Sequence, residues 1–95
     1  MKIVGADKLT RFGDKHERAQ SPLRKWRNAI EVAEWKHSVD MKMTFRTVNV
    51  VGSQTVFDIG GNEYRLVARV SYISQIVLVQ YVLTHAEYDK EDWKE

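Results

Sequence analysis

Phe57-Asp58-Ile59-Gly60-Gly61-Asn62-Glu63-Tyr64-Arg65-Leu66 is the stretch that decides the architecture of this 95-residue chain. Two alternating segments flank a Gly-Gly-Asn turn, and glycine and asparagine accept the positive φ that a tight hairpin requires. The turn leads into a strand and not into a helix N-terminus, so it is no phosphate-cradling loop. Working outward, Tyr64 to Tyr72 reads as one strand, Ser74-Gln75 as a turn and Ile76 to Leu83 as the next strand. On the other side Thr47 to Val51 reads as strand, Gly52-Ser53-Gln54 as turn and Thr55 to Ile59 as strand. Successive hairpins make these last four strands an antiparallel meander.

The first half has a different period. Lys2, Ile3 and Val4 form a short β-like start, and from about Asp7 the residues Leu9, Phe12, His16 and Ala19 recur at helical spacing. Ser21-Pro22 predicts a restart, with serine as cap and proline at a position that needs no N–H donor. The second helix is expected over Pro22 to Lys36, with Leu23, Trp26, Ile30 and Ala33 inward and Arg24, Lys25 and Glu31 outward. Val39, Met41, Met43 and Phe45 alternate with Asp40, Lys42, Thr44 and Arg46, a period that predicts an extended segment, either a strand or a connector. Thr84 with Glu87 is a capping box that opens a short helix after the last strand, carrying Tyr88 and Trp93 toward the end of the chain. The expected class is α+β, in the order β-α-α-β-β-β-β with a short C-terminal helical turn. The helix pair covers one face of a small antiparallel-rich sheet, and residues 1–95 are read as one domain.

Composition narrows the function. The chain is 43% hydrophobic and 29% charged and has no cysteine, which predicts a folded domain and excludes disulfide and thiolate chemistry. No apolar run approaches the roughly 18 residues that span a bilayer, so a cytoplasmic protein away from membranes is expected. Net charge is +2, but residues 1–46 carry 11 basic against 6 acidic side chains and residues 47–95 carry 4 against 7. A basic face that attracts polyanions is compatible with that split. Its candidate RNA-binding residues are Arg11, Lys15, Arg18, Arg24, Lys25 and Arg46. Asp7 and Asp14 stand four residues before Arg11 and Arg18, and intrahelical pairing accounts for part of the same pattern.

Two places could carry chemistry. Alternation sets Arg65, Val67, Arg69 and Ser71 on one strand face and the more apolar Tyr64, Leu66, Ala68 and Val70 on the other, so both arginines are expected on an open face. They would stand roughly 13 Å apart, able to meet phosphates of single-stranded RNA. His85 opens the last helix with Tyr88 one turn later. Metal-free RNA cleavage needs a base for the 2′-hydroxyl, cations for the phosphorane oxygens and an acid for the leaving 5′-oxygen, and imidazole suits either proton role. His16, His37 and His85 show no mutual pairing, so neither a metal site nor a cofactor is predicted.

Val56 to Leu66 and Thr84-His85-Ala86-Glu87-Tyr88-Asp89-Lys90, with Leu23, Trp26, Ala33, Trp35 and His16 as weaker matches, resemble the HigB family of RelE-like mRNA endonuclease toxins. The resemblance covers nearly the whole chain. It implies a compact RelE-like fold and cleavage of mRNA, commonly on translating ribosomes, held off by a HigA-like antitoxin with a helix-turn-helix. Arg65, His85 and Tyr88 occupy motif positions, and Arg69 sits where the pattern is looser. Asp58 stands where the family often has asparagine, and Gln80 where a basic residue is common on the last strand. The residues also allow a second reading, a non-catalytic RNA- or ribosome-binding module on the same scaffold.

Overall fold

The structure, a computed structural model, describes residues 1–95. Five strands form one sheet: β1 (Lys2–Val4), β2 (Asn49–Val51), β3 (Gln54–Ile59), β4 (Tyr64–Ser71) and β5 (Ile76–Thr84), in spatial order β1-β5-β4-β3-β2. As the hairpin signals predict, β2 to β5 are antiparallel, and β1 lies parallel to β5 with Ile3 opposite Val77. Gly60 and Gly61 adopt φ of 63° and 68°, closing the turn between Ile59 and its partner Tyr64. The chain leaves β1 through Gly5 at φ 89°, where a Cβ would sit 2.9 Å from the Val79 carbonyl oxygen. Only glycine fits that approach.

Helices α1 (Asp7–Lys15), α2 (Gln20–Val32), α3 (Ser38–Thr44) and α4 (His85–Asp89) complete the fold, and the α+β class expected from the sequence holds. The inner sheet face supplies Phe57, Ile59, Tyr64, Leu66, Ala68, Val77 and Val79. They meet Leu9, Phe12, Leu23, Trp26 and Ile30 from α1 and α2 in one apolar core. Aromatic edges meet faces there, Trp26 on Phe57 at 5.4 Å and Phe45 on Phe57 at 5.2 Å, the arrangement ring quadrupoles favour.

Three local expectations give way to tertiary contacts. The first helix stops at Lys15: His16 adopts φ −130° and a 3₁₀ turn over Glu17–Ala19 runs directly into α2. The second helix therefore starts at Gln20, with Ser21 inside its first turn and not capping it. Pro22 still falls in that first turn, where a missing N–H costs nothing. The helix also ends early, at Val32, because Ala33 turns extended and lets Trp35 swing back into the core at 3% exposure. There the Trp35 indole donates to Thr44 Oγ1 at 3.1 Å.

The segment from Val39 to Thr44 is helical, not extended, and Phe45 ends it. Asp40 accepts the backbone N–H groups of Lys36 at 2.9 Å and His37 at 3.0 Å, which nucleates α3 and holds the Asp40 carboxyl below its ordinary pKa. Met41 is fully buried, while Val39 and Met43 are 64% and 78% exposed. The alternating pattern also contains Met41 and Phe45 at the i, i+4 spacing of a helix, and the cap decides between the two periods.

Candidate active site

β4 carries Arg65 and Arg69 on the sheet face opposite α1 and α2, and β5 leads into α4, which carries His85 and Tyr88. The β4–β5 pairing slips once: Val67 faces Tyr81 and Ala68 faces Val79, leaving Gln80 without a partner as a β-bulge. That face is not open, contrary to the alternation reading. The segment after α4 folds back across it, and Trp93, 3% exposed, packs on Val56 and Val67 in a second small core.

Arg65 lies at the end of this covered face and is itself only 9% exposed. Its Nε meets Asp58 Oδ1 at 3.2 Å across the β3–β4 register. One terminal nitrogen donates to the Tyr64 carbonyl at 3.0 Å and the other to Asn62 Oδ1. The Tyr88 ring stacks over the guanidinium at 5.4 Å, and Trp93 in turn lies parallel to Tyr88 at 4.9 Å. The arginine is thus held in a carboxylate-amide-aromatic cage, and each terminal nitrogen keeps one N–H beyond those bonds.

His85 stands beside this cage. Its backbone N–H bonds the Glu63 carbonyl at 3.1 Å, and the preceding Thr84 pairs with Tyr64, the neighbour of Arg65. The ring is accessible, 45% exposed, and its Nδ1 meets Asp89 Oδ2 at 3.0 Å. That contact assigns the proton to Nδ1 and leaves Nε2 directed away from the carboxylate. The expected capping box is present: Glu87 N–H donates to Thr84 Oγ1 at 3.2 Å and Thr84 N–H to Glu87 Oε1 at 2.9 Å.

The Thr84 backbone N–H holds the Glu87 carboxyl below its ordinary value of 4.5. A carboxyl lowered by folding contributes fully above its unfolded pKa and loses that contribution as pH falls through the folded one. Protection of the α4 amides, measured against their intrinsic exchange rates at each pH, is therefore expected to fall on acidification below the ordinary carboxylate range. Thr84→Ala, which removes the cap oxygen, is expected to cost about 1 kcal/mol, seen as faster exchange of the Glu87 and Tyr88 amides at neutral pH. Equal exchange in both proteins would show that the cap does not hold α4.

The structure brings Arg65, Tyr88 and His85 to one end of the sheet, while Arg69 stands apart, four residues along β4, paired with Glu95. The basic residues form no single patch. Arg11, bonded to Asp7 at 2.6 Å, and Lys15 line a cleft of about 550 Å³ between α1 and β5, with Lys8, His16, Tyr81 and Glu87. Arg18 pairs with Glu63. Arg24 and Lys25 line separate hollows beside α2, and Arg46 is exposed on the α3–β2 connection. Sequence reasoning missed Asn62, Trp93 and Asp89 as partners of the site. Only Asp89 left a local signal, the i, i+4 spacing from His85.

The HigB toxin family, described as the RelE-like toxic component of a toxin-antitoxin system, matches residues 19–91. The chain is 29% identical over 92 residues to the mRNA interferase toxin HigB of Escherichia coli K12, an alignment covering 94% of this chain and 88% of that protein. The mRNA interferase HigB of Shigella flexneri matches with the same identity and coverage. The matched stretch holds β2 to β5 and α4, hence Arg65, Tyr88 and His85 in the arrangement described above. This chain belongs to the HigB family of RelE-like toxins.

Proposed function

We propose that this protein is a metal-independent endoribonuclease that cleaves mRNA, on translating ribosomes, and that an adjacent HigA-like helix-turn-helix antitoxin restrains it in the cytoplasm. One observation carries the reading: an accessible imidazole, oriented through Nδ1 by Asp89, stands one helical turn before a tyrosine that is stacked on a buried arginine. The relatives named mRNA interferases support the substrate. In the reaction the 2′-oxygen bonds to the adjacent phosphorus and the P–O5′ bond breaks, leaving a 2′,3′-cyclic phosphate and a 5′-hydroxyl. His85 Nε2 accepts the 2′-hydroxyl proton or returns one to the leaving oxygen. Where His85 acts only as the base, Tyr88 gives the leaving 5′-oxygen its proton; where His85 itself passes on the proton it took, Tyr88 stacks a base.

Arg65 acts from beneath. Asp58 offsets part of its charge, so its main part is to hold Tyr88 in place, with its spare N–H groups available to a phosphorane oxygen. Arg69 grips the RNA backbone farther along, and Arg11, Lys15, Arg18, Arg24, Lys25 and Arg46 meet other phosphates of the substrate or ribosome.

The test is to add purified protein to translating ribosomes and to naked RNA, and to identify the new ends. Cleavage of ribosome-bound mRNA with 5′-hydroxyl ends is expected, with slow cutting of naked RNA unchanged by EDTA. Ends carrying 5′-phosphate would reject the mechanism. The second reading, an RNA- or ribosome-binding module without catalysis, is favoured by the engagement of Arg65 with Asp58 and Asn62. It predicts salt-dependent binding and no new ends.

A further inference from the structure

The bulge in β5 aims Gln80 at a target. Gln54, 1% exposed, is a buried polar side chain, and its Nε2 donates to Gln80 Oε1 at 3.0 Å and to the Trp93 carbonyl at 2.9 Å. Because its oxygen is taken, Gln80 presents its NH₂ outward, where it donates to Glu95 Oε1 at 2.8 Å. The Arg69 guanidinium holds the other oxygen of the same carboxylate, Oε2. Gln54 Oε1 accepts the Glu95 backbone N–H at 3.1 Å and completes the set.

One anion is thus held by two donors from neighbouring strands, one on each oxygen, and a buried amide sets the direction of the neutral donor. The two non-bridging oxygens of a phosphodiester carry the same single charge and accept from the same two directions. We propose that Arg69 and Gln80 form a subsite for an RNA phosphate, and that the Glu95 carboxylate occupies it in the free protein as an internal competitor. The proposal rests on the RNA-cleavage reading for its ligand. With roughly 13 Å of strand between Arg65 and Arg69, the subsite takes a different nucleotide from the one at His85.

The pair can exchange readily. The Arg69 and Glu95 side chains are 45% and 41% exposed, and exposed ion pairs are weak, so an incoming phosphate displaces Glu95 at little cost. A glutamine at position 80 keeps a donor on the anion without a second cation that would hold the internal carboxylate more tightly. Trp93 stays seated on Val56 and Val67, and only the Glu95 side chain has to swing away.

The test is binding of a fully 2′-O-methylated oligoribonucleotide, which has no attacking hydroxyl, to the whole protein at low salt. Glu95→Gln is expected to bind it about fivefold more tightly than wild type, the scale of one exposed ion pair. On an Arg69→Ala background the same substitution should change affinity by less than about twofold, because the site it blocked is gone. Unchanged or weaker binding by Glu95→Gln overturns the proposal, and so does an equal gain on both backgrounds, which marks a general charge effect. The readout is separate from cleavage. Coupled binding without new RNA ends would reject the nuclease reading and keep the subsite, while cleavage without coupling would do the reverse.

Discussion

His85→Ala is expected to lower cleavage of ribosome-bound mRNA by about 10²- to 10⁴-fold, the range that one positioned general acid or base contributes, and to abolish growth arrest on expression. The effect is specific because the ring is 45% exposed and bonds only the Asp89 carboxylate, so its loss opens no core cavity and leaves the thermal midpoint nearly unchanged. Asp89→Asn should give a smaller loss: the amide still reaches Nδ1, but it no longer stabilises the imidazolium that forms when Nε2 takes a proton. Mapping mRNA ends in cells that express wild type, His85→Ala and Arg65→Ala checks the assignment. Equal arrest and identical ends in all three would remove His85 and Arg65 from the reaction.

Trp93→Ala carries the largest expected effect on stability. The indole closes the outer sheet face over Val56 and Val67, stacks on Tyr88 and donates its N–H to the Tyr88 carbonyl at 2.9 Å. Truncating a buried aromatic to alanine costs about 3–5 kcal/mol. The lower end applies here, because a segment lying on the surface can relax where an enclosed core cannot. For a domain of this size about 3 kcal/mol corresponds to a fall of roughly 15 °C in Tm, a large share of a total near 5–15 kcal/mol. Activity should fall with it, since Tyr88 loses the ring that fixes it over Arg65, and Trp93→Phe should recover most of both. Thermal denaturation followed by circular dichroism decides the matter: a shift below about 3 °C would show that this segment is not part of the folded core.

Most of the sheet was legible because its signals are local. The Gly60-Gly61-Asn62 turn, the alternation on either side of it and the Thr84–Glu87 capping box each depend on residues a few positions apart, and each forms where the sequence places it. The inner-facing set Tyr64, Leu66, Ala68 and Val70 follows from the same period and does pack on the core. The segment from Val39 to Phe45 was not legible, because its apolar residues satisfy both a two-residue and a four-residue spacing. Two backbone hydrogen bonds to Asp40 settle it as a helix.

The candidate site divides along the same line. Arg65 and Arg69 on one strand face, and His85 and Tyr88 on a capped helix, are readable from the residues alone, since strand alternation and helix capping are properties of neighbouring residues. That Asp58 and Asn62 enclose Arg65, that Trp93 covers the face, and that Gln80 and Arg69 hold one carboxylate between them emerge only in the folded chain. These contacts depend on strand register, on a bulge and on a segment returning from well down the chain, and no short-range pattern encodes any of the three.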